Sequence, residues 1–135
     1  MNSIKSLGAS SGIGKETALD LAKRGAKIII CSRNQTKAEA SLNQIKQKSC
    51  NDSIQFIHLD LSSLKSVRKC AEMILENENK IDYLINNAGL VVTEHTLTED
   101  GFEMHIGTNH LGHFLFTELV LPLLRKSSAT GFHPR

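Results

Sequence analysis

The fold of this chain is decided by the stretch Gly8-Ala9-Ser10-Ser11-Gly12-Ile13-Gly14, which leads directly into a predicted helix over residues 15–24. Three glycines at this spacing suit a phosphate-binding turn. Gly8 lets the chain leave a strand sharply, Gly12 lets the backbone approach a pyrophosphate, and Gly14 lets the helix pack closely on a sheet. Because a helix N-terminus offers free N–H groups and a partial positive charge, the stretch predicts a dinucleotide site.

The composition favours one globular, intracellular domain. The chain has 135 residues, 40% of them hydrophobic, which is enough for a core. Its 16 basic and 14 acidic residues are well mixed, which argues against nucleic acid or an anionic membrane as a partner. Cys31, Cys50 and Cys70 show no C-x-x-C spacing, so we interpret them as small core residues in a reducing compartment. Residues 1–6 lack the apolar core of a secretory signal, and no apolar run approaches the roughly 20 residues that span a bilayer. We therefore expect a cytoplasmic location.

Helical and strand-like segments alternate along the rest of the chain. Apolar residues recur at helical spacing in four segments, residues 15–24, 36–48, 63–76 and 101–125. Short apolar runs typical of buried strands cover residues 27–32, 54–59 and 81–86. This alternation predicts a doubly wound α/β fold with a parallel sheet of about four strands, of which the first is short.

The last predicted helix carries the apolar residues Phe102, Ile106, Leu111, Phe114, Leu115 and Leu119. Pro122 is expected to bend or end it. The residues that follow have no apolar or β-branched run. We therefore expect one dinucleotide-binding domain over residues 1–127 and a disordered tail over residues 128–135.

Arg33 stands where folds that bind NAD carry an acidic residue, about 20 positions beyond the glycines. No Asp or Glu occurs between Asp20 and Glu39. A ribose 2′-phosphate would therefore meet Arg33, with Lys37 nearby, without repulsion. An arginine alone is equally compatible with a solvated loop, but the missing acidic residue favours NADP(H) as the cofactor.

Polar residues also follow the third and fourth predicted strands. Asp60 has two compatible roles, since it can cap the next helix or meet an adenine amino group beyond the strand end. The run Asn86-Asn87-Ala88-Gly89 would let backbone lie against a ribose or nicotinamide, although the same tetrapeptide alone also suits a plain turn.

Metal and hydrolase chemistry find little support in the sequence. His110 and His113 are three residues apart, but no H-E-x-x-H or H-x-x-x-H pair occurs, and Glu118 lies five positions beyond His113. No G-x-S-x-G motif is present for a serine hydrolase. We therefore predict no metal site.

Taken together, the motifs resemble those of the short-chain dehydrogenase/reductase family, and most closely its retinol-dehydrogenase-like branch. The resemblance covers residues 7–127. It rests on Gly8-Ala9-Ser10-Ser11-Gly12-Ile13-Gly14-Lys15-Glu16-Thr17-Ala18, Leu59-Asp60-Leu61-Ser62, Asp82-Tyr83-Leu84-Ile85-Asn86-Asn87-Ala88-Gly89 and Thr108-Asn109-His110-Leu111-Gly112-His113-Phe114. The family has a Rossmann-type fold, and its members commonly pair through helices that follow the fourth and fifth strands.

The resemblance implies a role for each matching motif. The turn with Gly8, Ser10, Ser11, Gly12, Ile13 and Gly14 would hold the pyrophosphate. Asp60 and Leu61 would hold adenine, and Asn87, Ala88 and Gly89 would line the cofactor. Asn109 would be the family's helix asparagine in the catalytic proton relay.

The family moves a hydride between nicotinamide and an alcohol or carbonyl, with a serine and a Y-x-x-x-K motif in the catalytic centre. A phenol needs a neighbouring cation to exchange protons near neutral pH. Here the single tyrosine is Tyr83, and Asn87 stands four residues beyond it. We therefore expect a C-terminally truncated member, lacking the fifth strand onward and inactive alone, from a family acting on small lipophilic alcohols, aldehydes or ketones.

Two alternatives to a truncated family member remain open. In the first, the chain is a non-catalytic nucleotide-binding or interaction module that pairs with a full-length relative or with itself. In the second, it does not fold stably. Members of this branch often carry an apolar anchor ahead of the first strand, and such an anchor would associate the protein with the endoplasmic reticulum membrane.

Overall fold

The computed structural model describes residues 3–128, apart from the side chains of residues 5–7 and 128. The strands are β1 (Ser3–Leu7), β2 (Lys27–Ser32), β3 (Ile54–His58) and β4 (Tyr83–Asn86). The helices are α1 (Gly12–Lys23), α2 (Gln35–Ser49), α3 (Leu64–Asn77), the single turn α4 (Met104–Ile106) and α5 (Gly112–Ser128). A π-helical turn, Gly107–Leu111, joins α4 to α5.

The four strands form one parallel sheet in the order β3-β2-β1-β4. Strand β1 is central, since it pairs along its whole length with β2 and from Ile4 onward with β4. The sequence predicts a short first strand, but its five residues equal those of β3 and exceed the four of β4. Crossing from β3 past β1 to β4 reverses the direction in which the sheet is built, which is the arrangement of a doubly wound fold. The structure therefore confirms the predicted fold class.

Strand β2 divides the core between the two faces of the sheet. Successive side chains of a strand point to opposite faces, and four consecutive residues of β2 are buried. Ile28 and Ile30 pack in a cluster with residues of α1 and α2, whereas Ile29 and Cys31 pack in a second cluster with residues of α3 and α5. The continuous apolar run predicted from the sequence thus serves two layers of helices.

The last helix differs from its prediction in two respects. It begins at Met104 instead of residue 101 and contains the π-helical turn, which changes the face that later residues present. Pro122 was predicted to bend or end it, but α5 continues through this residue to Ser128. Phe116, Val120 and Leu123 of α5 are buried in the core, and this packing outweighs the local cost of a proline.

Ser128, the first residue of the predicted disordered tail, ends α5, and residues 129–135 lie outside the described residues. Cys31 and Cys70 are buried as predicted, but Cys50 is exposed. It closes α2 in the left-handed conformation, with φ of 52°, so this position serves the helix end and not the core. Within residues 3–128, no helix has the length and apolar character needed to cross a membrane.

Candidate functional site

A cleft of about 280 Å³ opens beyond the carboxyl ends of the strands, on both sides of the central strand β1. It is lined by Gly8, Ser10, Ser11, Cys31, Ser32, Arg33, Leu59, Asp60, Leu61, Asn87, Ala88, Gly89, Leu90 and Thr108. Nine of the twelve residues predicted to bind the cofactor are therefore brought together here, whereas Gly12, Ile13 and Gly14 are not in the lining. In a doubly wound sheet this crevice is the usual ligand site.

Sequence reasoning missed five lining residues, Cys31, Ser32, Leu59, Leu90 and Thr108. Ser32, Leu59 and Leu90 are each adjacent in the chain to a predicted cofactor-binding residue, and Thr108 precedes Asn109. Including the chain neighbours of each predicted site residue would have found these four, but not Cys31.

The glycine turn folds tightly against the residues after β4. Gly8 has φ of 79°, and a Cβ on it would lie 2.7 Å from the Cα of Ala88. A Cβ on Gly14 would lie 2.5 Å from the carbonyl oxygen of Gly8. Gly14 is also buried, so the absence of a side chain there lets α1 pack closely on the turn, and its contact with a cofactor stays a prediction.

The N-terminus of α1 is open toward solvent. Its N-cap residue is Ser11, whose side chain makes no capping hydrogen bond within the described part of the chain. By contrast, Asn34 caps α2 and Ser63 caps α3 through their side chains. A Cβ on Gly12, at φ of 55°, would meet nothing within 4 Å, and Ile13 is 80% exposed. The first-turn N–H groups of α1 therefore suit an anion such as a pyrophosphate.

Basic and hydroxyl side chains surround the end of β2. The hydroxyl of Ser32 donates to the hydroxyl of Ser10 over 3.3 Å, and Arg33 is the next residue and is exposed. Arg33 is the basic residue of the cleft lining, whereas Lys37 is not in the lining. Lys37 instead lies in the first turn of α2, where its N–H donates to Asn34.

Asp60 organises the turn that follows β3. Its Oδ1 accepts hydrogen bonds from the N–H of Ser62 at 2.9 Å and from the hydroxyl of Ser62 at 2.6 Å. Ser63 caps α3, so the capping role considered for Asp60 is wrong. The half-buried Asp60 lies in the cleft lining, and its contact with adenine stays a prediction.

The asparagines after β4 bind other parts of the protein. The Nδ2 of Asn86 donates to Thr117 of α5 over 3.2 Å, and the Nδ2 of Asn87 donates to the carbonyl oxygen of Gly8 over 3.3 Å. Their side chains therefore tie the strand end to α5 and to the glycine turn. The residues from Asn87 to Leu90 form one wall of the cleft.

Asn109 lies in the π-helical turn, next to the cleft residue Thr108. Its Nδ2 donates to the carbonyl oxygen of Leu90, and its Oδ1 accepts from the N–H of Leu90, both over 2.9 Å. Both polar atoms of the Asn109 side chain thus bind the backbone of Leu90, a residue of the cleft wall. A π-helical turn is rare and is frequently found at functional sites. The catalytic role of Asn109 stays a prediction.

Within the described residues, no group of three His, Cys, Asp or Glu side chains is arranged to hold a metal ion. His113 instead contacts the carbonyl oxygen of Ala88, and His110 lies against Phe114 with ring centroids 6.3 Å apart.

The fold and the cleft define an α/β protein of the doubly wound, Rossmann-like type. The chain belongs to the short chain dehydrogenase family, whose model matches residues 4–131. It is 51% identical over 121 residues to human retinol dehydrogenase 13, a match that covers 90% of this chain and 37% of that protein. The resemblance to the retinol-dehydrogenase-like branch is therefore confirmed.

Two solved structures are similar to this chain at the level of the backbone. One is an alcohol dehydrogenase from Thermococcus sibiricus in complex with 5-hydroxy-NADP, with a TM-score of 0.80 and 28% identity, covering 94% of this chain and 55% of that one. The other is a Pseudomonas aeruginosa protein in an NADP complex, with a TM-score of 0.77 and 29% identity, covering 93% of this chain and 49% of that one. The family uses nicotinamide cofactors.

Proposed function

We propose that this chain is the cofactor-binding part of an NADP(H)-dependent oxidoreductase that acts on a lipophilic alcohol, aldehyde or ketone. The observation that carries the proposal is the position of Arg33. It lies in the lining of a cleft whose other charged lining residue, Asp60, follows a different strand. A guanidinium in this place favours a ribose 2′-phosphate, as an acidic residue there would not.

The other cleft residues have distinct binding roles in this proposal. The free N–H groups at the start of α1 bind the pyrophosphate, and the absence of a Cβ on Gly12 keeps that approach open. Asp60 and Leu61 bind the adenine, while Asn87, Ala88 and Gly89 form the wall beside the ribose and nicotinamide. When bound, the cofactor supplies or accepts the hydride.

The 135 residues contain Asn109 of the catalytic proton relay but no Y-x-x-x-K motif. Tyr83 cannot replace the missing tyrosine, because it begins β4, whereas the cleft lies beyond the other end of that strand. We therefore infer that a polypeptide of these residues binds the cofactor without appreciable turnover, since no phenol is positioned to exchange the substrate proton. The chain matches 37% of the length of human retinol dehydrogenase 13, which is consistent with a part that binds the cofactor without the catalytic tyrosine and lysine.

The cofactor assignment is tested by thermal unfolding of the purified chain with NADPH or NADH. A ligand at 100 times its Kd stabilises the folded state by about 2.7 kcal/mol. We expect NADPH to raise the Tm at lower concentrations than NADH does. Equal effects of the two cofactors would contradict the assignment of Arg33, and no effect of either would contradict cofactor binding itself.

The lack of turnover is tested by following NADPH oxidation at 340 nm with a panel of lipophilic aldehydes and ketones. We expect no oxidation above the rate without protein. Carbonyl reduction that disappears in Asn109→Ala would show that the chain is an enzyme without the family's tyrosine and lysine.

A second candidate function is pairing with a full-length relative, without catalysis. It is favoured by β4, which lies at the edge of the sheet, and by Phe114 of α5, which is 59% exposed. The edge of a sheet and an exposed apolar side chain are both suited to a protein partner. Co-expression with a tagged full-length relative distinguishes the two candidates, because recovery of a complex that Phe114→Glu abolishes supports the pairing function.

A further inference from the structure

Three side chains of the helical stretch after β4 bind alternate residues of the segment that forms and continues the cleft wall. The Nε2 of His113 lies 2.7 Å from the carbonyl oxygen of Ala88. Asn109 binds both backbone groups of Leu90 over 2.9 Å, and the N–H of Val92 donates to the Nε2 of His105 over 3.1 Å. We refer to His105, Asn109 and His113 as the clamp, and to residues 88–92 as the clamped segment.

The spacings along the two runs match. The clamp residues are four positions apart, close to one turn of the helical stretch, so they lie on one face of it. The backbone groups that they bind belong to every second residue of the clamped segment. The two runs are antiparallel, since the first clamp residue binds the last residue of the segment. The helical stretch thus supplies, through side chains, the backbone partners that a neighbouring strand would supply.

The two histidines have to bind with opposite tautomers. The Nδ1 of His105 lies 2.7 Å from the carboxylate of Glu103, which only accepts, so Nδ1 carries the proton and Nε2 accepts from Val92. The carbonyl oxygen of Ala88 also only accepts, so His113 carries its proton on Nε2. Among the described residues, the buried Nδ1 of His113 has no hydrogen-bond partner.

The clamped segment is also part of the cleft. Ala88 and Leu90 line it, whereas none of the three clamp residues does. We propose that His105 and His113 are positioning residues which, together with Asn109, hold the backbone of residues 88–92 in the one register that forms the cofactor wall. The effect on the cofactor rests on the function proposed above, but the clamp itself does not.

The tautomers give a test that is independent of any cofactor. Long-range ¹H–¹⁵N spectra of the uniformly labelled 135-residue chain distinguish the two neutral forms of each imidazole. At neutral pH we expect His105 to show a protonated Nδ1 and His113 a protonated Nε2. A mixture of exchanging tautomers at both residues would overturn the proposal, since exposed, unconstrained imidazoles behave in that way.

Substitutions then connect the clamp to the cleft. His113→Leu removes the donor to Ala88 and keeps much of the volume, whereas His113→Gln retains an N–H donor on a side chain of similar reach. His110→Leu is the matched control, because His110 lies in the same turn region, is exposed and contacts Phe114 instead of the segment. We expect NADPH to bind about tenfold more weakly to His113→Leu, as expected from loss of one hydrogen bond of ordinary strength. His113→Gln recovers most of this loss, and His110→Leu leaves the Kd unchanged.

Amide hydrogen exchange separates positioning from general destabilisation. In His105→Leu we expect faster amide exchange at Val92 and also at Leu90, with unchanged exchange in β2. The reason is that the hydrogen bonds of the clamp hold one continuous segment, so losing one of them weakens its neighbour. Uniformly faster exchange throughout the chain would overturn a positioning role. If the wild-type chain binds no NADPH while tautomers and exchange are as expected, the proposed function fails and the clamp stands.

Discussion

The Nδ2 of Asn87 donates a hydrogen bond of 3.3 Å to the carbonyl oxygen of Gly8, and this bond joins the end of β4 to the end of β1. The first turn of α1 lies directly over it, because a Cβ on Gly14 would come within 2.6 Å of the same Nδ2. The glycine turn, the helix start and the fourth strand are therefore fixed by one close contact, which lies beside the cleft.

Gly14→Ala tests this contact. The added Cβ would lie 2.5 Å from the Gly8 carbonyl oxygen, and backbone there cannot easily move away. We expect the free energy of unfolding to fall by about 1–3 kcal/mol, the usual cost of overpacking, despite the better helix propensity of alanine. Urea unfolding measures this change.

Gly89→Ala is the control for that experiment. Its Cβ would meet the Oδ1 of Asn109 at 3.6 Å, an ordinary van der Waals distance. We expect a change within about 0.5 kcal/mol. Equal stability of Gly14→Ala and Gly89→Ala would contradict the close packing described here.

Arg33→Ala and Lys37→Ala separate the two cations near the end of β2. Arg33 lines the cleft and Lys37 does not, so Arg33→Ala should weaken NADPH binding by about tenfold or more, while NADH binding changes little. Lys37→Ala should leave both affinities nearly unchanged. Fluorescence titration with each cofactor measures the four affinities. Equal losses of NADPH and NADH binding in Arg33→Ala would mean that Arg33 does not bind the 2′-phosphate.

The order of strands and helices was predictable because each segment carries its own local pattern. The predicted strand over residues 27–32 has the same bounds as β2. Its apolar residues are consecutive, and such a run is stable as a strand that is buried on both faces. The cleft was predictable for a related reason. Arg33, Asp60 and Asn87 each follow a strand, and parallel strands bring their carboxyl ends to one edge.

The helical stretch after β4 was less predictable, because the π-helical turn adds a residue to its period. Periodicity of 3.6 residues places Phe102, Ile106 and Phe114 among the apolar positions, yet all three are at least 40% exposed. Phe102 lies before the helix begins and Ile106 before the π-helical turn, so the shift of face concerns Phe114. The residues that enter the core are Phe116, Val120 and Leu123. A single-sequence pattern does not reveal such a shift of face, which depends on how the turn packs against residues far away in the chain.

The clamp could not be predicted from the sequence for a similar reason. In the sequence, His113 has a metal-ligand interpretation only, together with His110, and the four-residue spacing of His105 and His113 from Asn109 has meaning only beside the clamped segment. That segment forms no strand in the structure, and its backbone partners are side chains. The same histidines would be uninformative polar positions without it.

Lys27→Met tests the ion pair at the other end of the sheet. The Nζ of Lys27 lies 2.7 Å from the Oε1 of Glu78, whose side chain is only 7% exposed. Removing the Lys27 cation leaves the buried Glu78 carboxylate without that ion pair, so we expect the free energy of unfolding to fall by about 1–3 kcal/mol. The double variant Lys27→Met with Glu78→Leu should recover most of it, because no charge then remains buried.

Arg24→Met is the matched control for the ion pair. Arg24 and Asp20 form a bond of 2.8 Å, but their side chains are 72% and 60% exposed. Such a pair contributes little in water. Urea unfolding should therefore show no measurable change for Arg24→Met. A loss in this variant as large as that of Lys27→Met would show that burial does not determine the contribution of these pairs.

Glu103→Gln tests how the start of the clamp responds to acid. The backbone N–H groups of His105 and Ile106 donate to the Glu103 carboxylate and, with the His105 side chain, lower its pKa from 4.5 to about 2. The unfolded chain takes up this proton near pH 4.5, whereas the folded chain does so near pH 2. The stabilisation is therefore complete above pH 4.5 and is lost as the pH falls towards 2.

The difference in stability between the wild type and Glu103→Gln should accordingly shrink as the pH falls through this range, because the protonated glutamic acid and glutamine carry no charge. Urea unfolding at a series of pH values measures it. Glu94→Gln is measured in parallel, since Glu94 is an exposed glutamate in the loop before Glu103. A pH-independent difference for Glu103→Gln would mean that the carboxylate charge does not stabilise the start of the helical stretch, and amide exchange at His105 and Ile106 should then also be insensitive to the substitution.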